Sequence, residues 1–174
     1  AGTYLFARWG RPVAPVVFGV EDQTVSTLKG AIEAVVALAG HQMAETDPEL
    51  GANLMVFFFR EWDELTETPN LDRLIPGLAE TVERLKAVEA NQYRSFRFDE
   101  AGAIQAAFVF VRMDAEMARV PAETIALSQV VQTILLWSDT VCCSGAFMMI
   151  TPRNLVRRSR RTWADETRRC ERVA

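Results

Sequence analysis

The sequence predicts an α+β domain with a mainly antiparallel sheet and helices packed on one face. Its 174 residues are 49% hydrophobic and 24% charged, the composition of an ordinary globular domain. Its apolar patterns follow the order strand, helix, strand, helix, hairpin, helix. Only Gly19 follows the first predicted strand before Gly30, so the glycine-rich turn of a doubly wound dinucleotide-binding fold is absent.

The first predicted strand and helix lie between residues 11 and 40. Residues 11–19 are rich in valine, and Pro12 and Pro15 favour an edge strand because proline cannot donate to a ladder. Residues 24–39 carry apolar side chains at helical spacing, and Gly40 ends the pattern.

A buried strand and a broken helix are expected next. Residues 53–59, NLMVFFF, form a continuous apolar run that is typical of a strand covered on both faces. Residues 61–70 are acidic and predict a loop. Apolar side chains then recur at helical spacing, but Pro76-Gly77 breaks the pattern, so the predicted helix spans residues 78–90.

A hairpin and the strongest amphipathic helix complete the core. Residues 93–98 alternate aromatic and polar side chains, a turn follows at residues 99–102, and residues 103–112 predict the second strand. After an acidic connection, residues 122–139, AETIALSQVVQTILLWSD, predict the helix around which the domain is organised.

The C-terminal region differs in charge from the rest of the chain. Residues 141–150 fit either a buried strand or a short helix, and Thr151-Pro152 marks a boundary. The sequence therefore predicts one domain over residues 1–152 and an arginine-rich helix or tail over residues 153–174. The tail carries a net charge of +5, so the remainder carries −9 of the total of −4.

The basic tail predicts a partner of opposite charge. Nucleic acid is disfavoured because few aromatic residues interleave with the arginines. An anionic membrane surface would need a broader apolar face, which favours a protein partner or docking on the acidic body. The oligomeric state stays open. The predicted docking residues are Arg157, Arg158, Arg160, Arg161 and Trp163.

Three cysteines leave the redox compartment open. Adjacent Cys142 and Cys143 rarely bond to each other, so a disulfide from one of them to Cys170 is expected, and three thiols are the alternative. The chain begins with Ala-Gly and shows no signal peptide, which fits a processed export product or a trimmed chain. A periplasmic or exported location is favoured on this basis.

Side chains suited to catalysis are few. His41 is the only histidine, and its polar setting after Gly40 predicts a solvated loop rather than a catalytic or zinc site. Asp114 and Glu116 are the candidate acid–base pair; the alternative is an acidic loop that favours the following helix N-terminus. Without a phosphate loop or a metal-ligand spacing, no cofactor and no metal are expected.

Ser128, Gln129 and Gln132 are the polar residues of the organising helix. None of them is a strong acid, a strong base or a good metal ligand. If the protein is an enzyme, this helix is where its active site is expected.

Several short motifs carry a resemblance to a known family. They are Arg8-Trp9, Pro12-Val13, Leu38-Ala39-Gly40, Ala52-Asn53-Leu54 and Gly102-Ala103-Ile104. Over residues 8–139 the chain resembles an uncharacterised bacterial domain-of-unknown-function family (number 2927). The helix after the hairpin of that family is similar to a degraded HExxH metallopeptidase helix, so the resemblance implies a zincin-like order of elements.

In HExxH the two histidines bind zinc and the glutamate activates water. By the resemblance these positions fall on Ser128, Gln132 and Gln129, which cannot perform those roles. The sequence thus favours a non-catalytic interaction or accessory domain of the cell envelope, and a subunit of a larger assembly is one form of it. The alternative is a hydrolase that uses Cys142 or Cys143, or Asp114 and Glu116.

Overall fold

The computed structural model describes residues 7–45 and 51–135, which form an α+β fold around a four-stranded mixed sheet. In chain order the elements are β1 (Pro15–Phe18), α1 (Asp22–Leu38), β2 (Leu54–Phe59), α2 (Glu64–Glu67), α3 (Leu71–Leu74), α4 (Leu78–Ala87), β3 (Gln92–Phe98), β4 (Ile104–Arg112), a 3-10 helix (Met117–Arg119) and α5 (Ala122–Thr133).

The predicted succession of strands and helices is confirmed, with two refinements. The predicted loop at residues 61–70 contains the short helix α2. The apolar helical pattern beyond it is divided into α3 and α4 at Pro76-Gly77, where Gly77 adopts a left-handed φ of 71°. Residues 136–139 of the predicted organising helix, residues 141–150 and the tail over residues 153–174 lie outside the described residues.

The sheet is mixed, so the prediction of a mainly antiparallel sheet was wrong. The strand order is β1-β2-β4-β3; β2 runs parallel to both β1 and β4, and only the β3–β4 hairpin is antiparallel. The reason lies in the connections, because a helix between two neighbouring strands returns the chain in the same direction. The predicted edge position of β1 is confirmed.

Helices cover both faces of the sheet, which corrects the prediction of helices on one face. One core lies between the sheet and α1 with α5, and a second lies between the sheet and α2–α4 with Trp62. The physical reason is β2, whose alternate side chains enter different cores: Val56 the first and Phe59 the second. A strand that is apolar on both sides needs cover on both sides.

An aromatic row crosses all four strands on the α2–α4 face. Phe18, Phe57, Phe110 and Tyr93 are direct neighbours in the strand register. Their successive ring centroids lie 4.8, 5.1 and 6.0 Å apart, each pair nearly parallel. Phe110 is fully buried, whereas Phe18 at the edge is 46% exposed. The row therefore joins β1 to β3 through side chains as well as through the backbone ladder.

Gly19 ends β1 with a backbone that other residues rarely adopt. Its φ is +84°, and a Cβ atom there would lie 2.0 Å from the Phe58 carbonyl oxygen. Gly30, inside α1, has no heavy atom within 4 Å of the corresponding position. Only the first of these glycines is required by the fold.

Gly19→Ala is therefore expected to lower the free energy of unfolding by at least about 2 kcal/mol, through strain and the clash with β2. Gly30→Ala is the matched control and should raise it by about 1 kcal/mol, because alanine is the better helix former. Urea denaturation followed by tryptophan fluorescence measures both. Equal effects of the two substitutions would contradict the turn geometry.

Candidate functional site

Helix α5 has an apolar face in the core that it shares with α1 and a polar residue, Gln129, that points toward β3. Ile125, Ala126 and Val130 are buried in the core shared with α1. The C-terminal end of the helix is tied to the start of the described chain, because the Trp9 indole Nε1 donates a hydrogen bond to the Thr133 carbonyl oxygen at 3.1 Å. The remaining face of α5 turns Gln129 toward β3.

Gln129 is 2% exposed and takes part in a closed triangle of side-chain hydrogen bonds. Its Oε1 accepts from Arg94 Nη2 at 2.6 Å, and its Nε2 donates to Gln92 Oε1 at 3.1 Å. The Gln92 Oε1 also accepts from Arg94 Nη2, at 2.9 Å. Because a guanidinium has only donors, both amide oxygens must face Arg94, which fixes the orientation of both amides. We call these three residues the polar triangle.

Strand β3 supplies two members of the polar triangle through simple alternation. Gln92 and Arg94 are two residues apart, so their side chains leave the same face of the sheet. Opposite them in the hairpin register are Val111 and Val109, which belong to the core beneath α1 and α5. Arg94 is thus brought over this core and under α5.

The charge of Arg94 is not balanced by an acid in the described part of the chain. None of the ion pairs formed among residues 7–45 and 51–135 involves Arg94. Its Nε is buried and has no hydrogen-bond partner there. Burial lowers the pKa of the Arg94 guanidinium to about 10, so the group stays positively charged at neutral pH. The two glutamine oxygens solvate this charge without neutralising it.

Ser128 and Gln132 bond to each other rather than joining the triangle. The Gln132 Nε2 donates to Ser128 Oγ at 3.1 Å, one helical turn apart. Both side chains are half-buried. The three sequence-predicted positions on α5 therefore form two separate arrangements, of which only Gln129 reaches β3.

His41 lies just after α1, away from these residues in sequence. Its ring Nε2 lies 2.8 Å from the Arg11 carbonyl oxygen. A carbonyl oxygen only accepts, so Nε2 is the protonated nitrogen and donates this bond. The contact ties the end of α1 to the segment before β1.

Asp114 is occupied as a turn-forming residue. Its Oδ1 accepts from the backbone N–H groups of Glu116 and Met117, at 3.0 and 2.8 Å. Its Oδ2 lies 3.6 Å from Arg112 Nη2. The carboxylate thus caps the 3-10 helix that precedes α5, whereas the Glu116 side chain is exposed. The structure gives no contact between the two carboxyl groups.

Arg94 and Gln92 are the site residues that the sequence reasoning missed. A signal was present, because the alternation of residues 93–98 assigns Arg94 to the same side as Phe96. An arginine on the inward face of a strand requires a polar partner in the core. The predicted cysteine site (Cys142, Cys143, Cys170) and the predicted docking residues lie outside the described residues.

Chemically, the polar triangle is rich in donors and carries one positive charge. It contains no nucleophile, no carboxylate and no imidazole. Within residues 7–45 and 51–135, no three histidine, cysteine, aspartate or glutamate side chains are grouped as metal ligands would be. In the same ranges no helix has the length and apolar character needed to cross a membrane.

Comparison with models of protein families, with curated proteins and with solved structures gave no match for this chain.

Proposed function

We propose that the chain is a non-catalytic interaction domain built on a degenerate metallopeptidase-like scaffold. The observation that carries the proposal is the bonding of Gln129. This residue stands where the resemblance puts the general base of an HExxH helix, and its side chain is buried against Arg94 and Gln92. A neutral amide held in this way does not accept a proton from water.

The charge of Arg94 supports the same conclusion. A zinc ion held by α5 would share that helix with Gln129, whose side chain bonds to the positively charged guanidinium of Arg94. Two cations close together repel each other, and none of the ion pairs among the described residues includes Arg94. The position suits a fixed positive charge better than a divalent metal.

The arrangement of elements also favours the scaffold part of the proposal. The antiparallel edge strand β3 lies beside the helix that carries the degenerate positions, with α1 packed against that helix on the same face. The proposal extends to a zincin-like order of these elements and to membership of the bacterial family that the sequence resembles. In this proposal the domain acts in the cell envelope, as an accessory subunit that contacts a protein partner through its surface and its basic tail.

The zinc content of the purified chain tests the proposal. After equilibration with zinc and gel filtration, wild-type protein should retain substoichiometric zinc, since Ser128, Gln129 and Gln132 provide no adequate ligand set. Elemental analysis together with a peptide-hydrolysis assay gives the measurement.

Ser128→Ala combined with Gln132→Ala is the control variant. One tightly held zinc per wild-type chain that disappears in this variant would contradict the proposal. Zinc bound elsewhere, for example by the cysteines, would survive the double substitution and would show that α5 is not the metal site.

A further inference from the structure

We draw no further inference here: the strongest candidate, the partly exposed apolar patch that Val16, Phe18, Met55 and Phe57 form where β1 borders the α2–α4 face of the sheet, carries none because nothing in the described residues shows what covers it.

Discussion

Gln129→Leu is expected to lower the free energy of unfolding by about 3 kcal/mol, the upper range for a hydrogen bond to a charged group. Leucine fills a similar volume but leaves Arg94 Nη2 with Gln92 as its only acceptor in the polar triangle. The guanidinium keeps its charge at neutral pH, because its pKa, although lowered by burial, is still about 10. The cost is therefore that of a partly buried charge with too few partners. Urea denaturation at pH 7 measures it.

Two control substitutions accompany this prediction. Gln129→Glu should retain most of the stability, because a carboxylate also accepts from Arg94 and balances its charge. Gln105→Leu makes the same chemical change as Gln129→Leu at an exposed site and should alter stability by no more than about 0.5 kcal/mol. Similar losses in Gln105→Leu and Gln129→Leu would show that Gln129 has no special role.

Phe110→Ala is expected to have the largest effect, a loss of about 4 kcal/mol. Phe110 is 0% exposed and stands in the middle of the aromatic row, between Phe57 on β2 and Tyr93 on β3. Its removal leaves a cavity and ends two ring contacts at once. Thermal and urea unfolding monitored by circular dichroism give the size of the loss.

Phe18→Ala is the matched control at the end of the same row. Phe18 has one ring contact in the row and is 46% exposed, so its loss should cost less than about 1.5 kcal/mol. If Phe18→Ala were as damaging as Phe110→Ala, the assignment of Phe110 to the centre of the core would be wrong.

Local patterns of the sequence were sufficient to locate most elements. The apolar run at residues 53–59 contains β2, and the alternation and turn at residues 93–112 correspond to the β3–β4 hairpin. Pro76-Gly77 lies at the break before α4. These features depend on side chains close together in sequence, where periodicity and turn chemistry act directly. The short helix α2 was missed because its four residues are too few to show a period.

The direction of the strands and the covering of both faces were predicted wrongly. The hairpin pattern in the sequence suggested an antiparallel sheet. However, β1 and β2 are neighbours joined through the helix α1, and such a connection makes two strands parallel. The apolar run of β2 already indicated two covered faces. The aromatic row was not predictable, because Phe18, Phe57, Phe110 and Tyr93 meet only through the register of four strands.

One of the three residues of the polar triangle was visible in the sequence. Gln129 was recognisable as a polar residue on the organising helix, but its partners Arg94 and Gln92 lie 35 and 37 residues earlier on the edge strand. Helical periodicity does not identify which strand residue a helix will face. Only the hairpin register, with Arg94 opposite Val109, brings the guanidinium under α5.

A double-mutant cycle on Arg94 and Gln129 tests the central claim most directly, namely that Gln129 is engaged with Arg94 and not open to a ligand or a metal. The free energies of unfolding of wild type, Arg94→Met, Gln129→Leu and the double variant are measured in urea at pH 7. If the two side chains bond as described, the double variant loses less than the sum of the single losses, with a coupling energy of about 1–3 kcal/mol. Additive losses would contradict the claim, and Gln129 would again be a candidate for a catalytic or metal-binding role.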